Sequence, residues 1–174
     1  MQIRELTVDD ATIYWPLRLR ALREEPEAFG SSYEESVNRP MTHIEERFRA
    51  ARTSGSGFTL GAFDGDALVG TATLGREEGH KNRHIAGVYG MYVAPEARGR
   101  GIGRALMEAL IARAGSMSGL EQLHLAVVSA NPPARSLYLA LGFQVYGLER
   151  HALKLDDRYL DEELMVLWLR SDPA

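Results

Sequence analysis

One stretch limits the folds open to this chain more than any other: Val93-Ala-Pro-Glu-Ala-Arg98-Gly-Arg100-Gly101-Ile-Gly103-Arg104. The apolar run from about Ile85 to Val93 predicts a strand, Pro95 ends it, and Ile102, Ala105, Leu106, Ala109 and Leu110 fall at helical spacing from Gly101 onward. A strand, a glycine-rich turn and a helix start therefore follow directly on one another. The first N–H groups of that helix have no intrahelical acceptor, and the helix dipole is positive there, so an anion is favoured. Gly99, Gly101 and Gly103 carry no Cβ to hold a phosphate away from the main chain, and Arg98, Arg100 and Arg104 add positive charge. The expected ligand is a phosphate or pyrophosphate. The alternative is that the glycines only shape a tight strand-to-helix connection.

Two other phosphate loops fit less well. A P-loop closes on Gly-Lys-Ser/Thr, which Gly103-Arg104-Ala105 does not supply. A dinucleotide fingerprint needs an acidic residue about twenty positions on, after the next strand. Glu121 has the distance but precedes the strand expected over Leu123 to Val128.

Arg98-x-x-Gly101-x-Gly103 after a strand ending in Val93 resembles the acyl-CoA pyrophosphate loop of the GNAT superfamily, the acyl-CoA-dependent N-acyltransferases. Asn131-Pro-Pro-Ala134-Arg-Ser-Leu137-Tyr138-Leu-Ala-Leu141-Gly142-Phe143 resembles a second segment of that family, in the right order and at the right distance. The match is densest over 84–146. The resemblance implies a mixed, mainly antiparallel sheet with helices on both faces and one splayed parallel strand pair. It also implies acetyl-CoA as cosubstrate, its pyrophosphate on residues 98–104, Ile102 included, and its pantetheine arm along Met91, Tyr92 and Val93, with Asn131 also binding that arm. Tyr138 then protonates the departing thiolate.

Bulk properties narrow the classes further. At 174 residues the chain is expected to form a single domain. The formal charge of -4 argues against a general nucleic-acid binder. With no cysteine there is no disulfide framework, no thiolate metal site and no acyl-cysteine intermediate. The five histidines show no ligand spacing, so no metal is expected. No apolar stretch approaches the roughly 18 residues of a membrane span and Met1 to Thr7 shows no signal peptide, so no membrane partner and a cytoplasmic location are expected.

Along the chain, Ile3 to Thr7 reads as a strand. Asp9-Asp10 then caps a helix with Ile13, Leu17 and Ala21 on one side, which Pro16 either delays or kinks. Residues 24–36 show no period and read as a loop or short irregular helix. Thr42-x-x-Glu45 predicts a capping box for a helix carrying Met41, Ile44, Phe48 and Ala51. Phe58, Leu60 and Ala62, the Asp64-Gly65 turn and Leu68 to Leu74 predict a hairpin. A helix from Gly101 to about Met117 and a strand over 123–128 complete a right-handed β-α-β unit. Asn131 caps the next helix, and Phe143 to Leu155 and Leu164 to Leu169 read as final strands joined by a turn over 156–161.

Tyr138 lies seven residues, about two helical turns, after Asn131 and projects to the same side. Asn131 is otherwise only a cap and Tyr138 only a core tyrosine. An alkyl amine must lose a proton before it attacks, at a cost of roughly 4 kcal/mol at neutral pH. The two strand positions where relatives often carry a base glutamate are Gly87 and Ala126 here. Glu34, Glu35, Glu78, His80 or a bound water remain as bases, and His124 reads as structural. Phe29, Tyr33 and Glu34 are candidates for binding a cationic acceptor in segments 9–53 and 75–84, or are plain surface. The expected function is acetyl transfer to a primary amine of a small molecule or peptide. A non-catalytic acyl-CoA sensor is the main alternative and a nucleotide-binding domain the third. A homodimer contact is placed on the strand Leu164 to Leu169.

Overall fold

The computed structural model describes residues 1–169. Strand β1 (Gln2–Glu5) enters helix α1 (Ala11–Glu24) through a 3-10 turn over Val8–Asp10. Asp10 organises this entry. Its carboxylate accepts the Thr7 N–H at 2.8 Å and takes the Arg4 guanidinium in a fork, at 2.8 and 2.6 Å. The turn fixes the phase of α1, so Ala11, Tyr14, Trp15, Leu17, Ala21 and Leu22 face inward while Ile13, expected on that side, is exposed. Pro16 sits inside the helix with its start unmoved. The Thr12 carbonyl that loses its partner lies on the exposed face, where water serves.

The segment without period holds a 3-10 turn at Pro26–Ala28 and a short helix α2 (Tyr33–Val37), capped by Ser32, whose hydroxyl accepts the Glu35 N–H at 3.1 Å. Helix α3 (Met41–Ser54) buries Ile44 and Phe48 as expected, but it starts directly after Pro40. Thr42 is thus already its second residue, and the Thr42–Glu45 capping box does not form.

Strands β2 (Gly57–Asp64) and β3 (Ala67–Arg76) form the expected hairpin. Phe58, Leu60 and Ala62 join the core under helix α4 (Ile102–Gly115), whereas Phe63 and Leu68 pack with Leu6, Tyr14, Trp15, Ile44 and Phe48 beneath α1 and α3. Strand alternation thus gives the sheet two apolar faces and helices on both. Strand β4 (Ile85–Val93), α4 and strand β5 (Gln122–Val128) make the β-α-β unit, followed by helix α5 (Pro132–Ala140) and strands β6 (Gln144–Leu155) and β7 (Arg158–Trp168).

The sheet runs β1-β2-β3-β4-β5-β7-β6, antiparallel throughout except for the parallel pair β4–β5. This is the mixed, splayed architecture expected. The last hairpin differs in detail. Asp156, at φ +53°, allows a two-residue turn, so residues 158–163 continue as strand instead of forming a long polar turn. Strand β7 also lies between β5 and β6 and is paired on both sides. Leu164 to Val166 therefore offers no free sheet edge to a second copy, while Leu167 and Trp168 run past the start of β6; the outer edge belongs to β6.

Candidate functional site

Strands β4 and β5 pair only at Ile85–Gln122, Ala86–Leu123 and Gly87–His124. Beyond Gly87 they separate, and the β5-facing backbone of β4 is left open. A bulge at Gly90, at φ +57°, marks the departure, and the Thr71 hydroxyl donates to the Gly90 carbonyl at 3.1 Å.

A cavity of about 470 Å³ lies at the open end. Met91, Tyr92 and Val93 of β4 form one wall. Arg98, Gly99, Gly101, Ile102, Gly103 and Arg104 form the floor, and Asn131, Ala134, Leu137 and Tyr138 line the wall on the α5 side. Gly99 and Gly101 have φ of +75° and +76°, and a Cβ at either would meet nothing within 4 Å. The backbone demands glycine there, and the space in front is open. No side chain caps α4, so the N–H groups of Ile102, Gly103 and Arg104 lack intrahelical acceptors at the cavity floor. Gly103 serves packing instead: its Cβ would stand 2.9 Å from Met91 Cε.

The arginines are less free than their count suggests. Arg98 donates through Nε to the Val93 carbonyl at 2.9 Å and pairs with Glu25 at 2.7 Å. Arg104 pairs with Glu108 at 3.2 Å. Arg100 turns to Asp64 at 2.6 Å and does not line the cavity. The bare helix start is thus the main anion-attracting element.

Asn131 caps α5, its Oδ1 accepting the Ala134 N–H at 3.2 Å, and it also lines the cavity. Tyr138 is buried, set edge-on to Phe143, and its phenol is pushed up to about 12 by burial.

A second cavity, of about 460 Å³, adjoins the first; the two share Ala28, Phe29, Met91 and Tyr138. Gly87 and Ala126 do line it. A Cβ at Gly87 would run into the phenol of Tyr89, whose ring fills the place a larger side chain would take. Besides Tyr138, the titratable groups present are Arg18, Glu77, Tyr89, His124, Tyr146 and Glu162. Burial holds His124 below the usual histidine range despite Glu77, so its imidazole is neutral at pH 7. Its Nε2 lies 2.9 Å from Gln122 Oε1; in the tautomer that carries its proton on Nε2, that N–H donates to the carboxamide oxygen and Nδ1 is the acceptor. Burial and Glu149 raise Glu162, and burial and Glu77 raise Tyr89.

Of the residues expected on the acceptor side, Phe29 lines both cavities. Tyr33 lies beside Arg23, 5.7 Å from its guanidinium, and lines neither cavity; nor does the exposed Glu34. Glu35, Glu78 and His80 are likewise exposed and apart from both. His124, read from the sequence as structural, lines the second cavity instead, and the signal that marks it is strand parity. Leu123 and Leu125 are buried in the core, so the residue between them turns to the opposite face.

A sheet that splays at its one parallel pair over a bare, glycine-led helix start is the architecture of an acyltransferase of the GNAT kind. Residues 19–143 match the Acetyltransferase (GNAT) family, and the chain belongs to it. It is 34% identical over 86 residues to an L-methionine sulfoximine/L-methionine sulfone acetyltransferase of Pseudomonas aeruginosa, a match covering 49% of this chain and 48% of that one. It is also 34% identical over 105 residues to the mycothiol acetyltransferase of Actinosynnema mirum, covering 59% of this chain and 34% of the relative. The match thus spans half or less of these relatives. Among solved structures, a Streptococcus pneumoniae acetyltransferase of the GNAT family superposes with a TM-score of 0.89 at 22% identity, covering 96% of this chain and 98% of that one. A Salmonella typhimurium protein solved with acetyl-CoA gives 0.87 at 22% identity, covering 100% and 96%. At this identity the likeness is one of fold.

Proposed function

We propose that this chain is an N-acetyltransferase that carries an acetyl group from acetyl-CoA directly to a primary amine of a small molecule or peptide, with 84–146 as the acetyl-CoA side of a single catalytic domain. The observation that carries this reading is the meeting of two cavities at Met91 and Tyr138. One has the open glycine loop of a thioester donor's pyrophosphate. The other is lined by groups suited to an amine. Family membership and the acetyltransferase relatives support it.

Acetyl-CoA, when bound, supplies an acetyl group already activated as a thioester. The N–H groups of residues 102–104 receive its pyrophosphate, favoured by the helix dipole, and Arg98 and Arg104 lie alongside. The open edge of β4 at Met91, Tyr92 and Val93 takes the pantetheine arm as an added strand, and the Asn131 carboxamide binds it from the facing side. Tyr138 keeps its proton up to about pH 12 and donates it toward the leaving sulfur. His124, neutral at pH 7, accepts the amine's proton through Nδ1. Holding amine and thioester together at the junction supplies much of the rate, on the order of 7 to 11 kcal/mol in good cases.

The test is free-thiol release from acetyl-CoA against a broad amine and peptide panel, with calorimetric titration of CoA alongside. Turnover with an acceptor sustains the reading. CoA binding without turnover on any acceptor favours the non-catalytic sensor, and failure to bind CoA overturns both.

A further inference from the structure

The second cavity holds a cation with no ion-pair partner among the described residues. Arg18 of α1 lays its guanidinium over the Phe29 ring at 4.4 Å and reaches the β4 bulge, where a Cβ at Gly90 would stand 3.8 Å from Nη1. Nη1 is buried and has no hydrogen-bond partner, and Arg18 enters no ion pair among the described residues. Burial works against its charge, the Tyr14 side chain favours it, and a second cation, Arg47, whose own Nη2 donates to the Tyr14 hydroxyl at 2.8 Å, opposes it. A cationic side chain that lines a ligand cavity with no carboxylate paired to it favours an anionic ligand there, met by the guanidinium N–H groups other than the enclosed Nη1.

We propose that Arg18 anchors the acceptor's carboxylate, and that the acceptor is a small amino acid, or a close analogue, with its carboxylate next to the reacting amine. This rests on the transferase reading above. The planar guanidinium fork matches a two-oxygen carboxylate better than any neutral group. Position sets the spacing. Arg18 meets β4 at Gly90, one residue before Met91, and Met91 and Tyr138 mark the junction where amine and thioester must meet. An anion held there lies close to the amine, as in an α-amino acid. Polyamines and lysine side chains of proteins lack such an anion and leave Arg18 unanswered. Glu77 and Glu162 line the same cavity.

The experiment compares each of the twenty amino acids with its amide and its decarboxylated amine, at saturating acetyl-CoA, in the natural protein, Arg18→Lys and Arg18→Gln. In the natural protein an acid should be preferred over its amide by about ten- to a hundredfold in kcat/KM, the range of a charge-assisted hydrogen bond. Arg18→Gln should erase that preference by raising KM for the acid while KM for acetyl-CoA holds, and Arg18→Lys should fall between. Equal use of acids, amides and amines, or an equal loss on all three in Arg18→Gln, overturns the assignment. Calorimetric binding of the same amino acids to the CoA-saturated protein separates the two proposals. Binding that Arg18→Gln abolishes sustains the carboxylate anchor even without turnover, and no binding and no turnover of any amino acid overturns it; turnover of other amines or peptides in the broad panel then keeps the transferase reading standing, and its absence overturns that reading.

Discussion

Replacing Tyr138 with Phe removes one hydroxyl from the junction of the two cavities and leaves the ring packed on Phe143. Turnover should drop about a hundredfold or more, the range for a positioned general acid, with KM for acetyl-CoA within about twofold. Because burial pushes this phenol to about 12, the rate of the natural protein should show no descending limb from it below about pH 11. A limb near the ordinary tyrosine value would contradict the buried setting. On the other side of the profile, burial holds His124 below the usual range, so the proposed proton acceptor should give a rising limb below that of an ordinary histidine. In His124→Gln that rising limb should move toward the amine's own pKa. Asp10 makes a separate prediction about stability. Its folded pKa of about 2 lies below an unfolded value of about 3.9, so its contribution is present above the unfolded value and is lost as pH falls through the folded one. Asp10→Asn should therefore cost about 2 kcal/mol at pH 7 in urea unfolding, with the gap closing between about pH 4.5 and pH 2. Tyr138 could be read from its spacing to Asn131. Arg18, Glu77 and Glu162 could not be assigned to one site, because α1, the end of β3 and β7 contribute one charged side chain each and none repeats at a readable period.

The glycine-led start of α4 behaves as an element, and its glycines differ. Gly101→Ala forces a Cβ into a left-handed backbone and should destabilise the fold by about 1 kcal/mol while weakening CoA binding, read by thermal unfolding and calorimetry together. Gly103→Ala meets only the flexible end of Met91, so Met91 should yield and stability should change less. If both variants lose CoA affinity with equal stability loss, the distinction between a conformational and a packing glycine fails. The β2–β3 hairpin and the β-α-β unit were legible because apolar period and glycine punctuation agree there. The α3 capping box was a false signal, since Pro40 starts the helix one residue before Thr42. The length of β7 was hidden for a different reason. Residues 158–163 are mostly polar because their hairpin runs out past the core, so strand geometry there carries no apolar alternation.

For the molecule as a whole, the order of strands exceeds what pattern can give. Nothing in the residues of β6 and β7 says which pairs with β5, although that choice decides which strand forms the sheet's outer edge. The two tryptophans report on this arrangement from opposite environments: Trp15 is 7% exposed and Trp168, at the end of β7, is 36% exposed. Acrylamide should quench Trp15→Phe, which retains only Trp168, strongly, and Trp168→Phe weakly; equal quenching would contradict the placement of both. The sheet's seams are also unequal. Three register pairs join β4 to β5, against eight between β2 and β3 and seven between β5 and β7. Pulled from its two ends, the sheet should tear where β4 leaves β5, and a pantetheine arm laid in that gap would act as the missing rungs. Occupancy of the cleft then sets tensile strength, so that a chain stretched in an optical trap should yield at higher force when CoA is present, with the added resistance confined to that one seam.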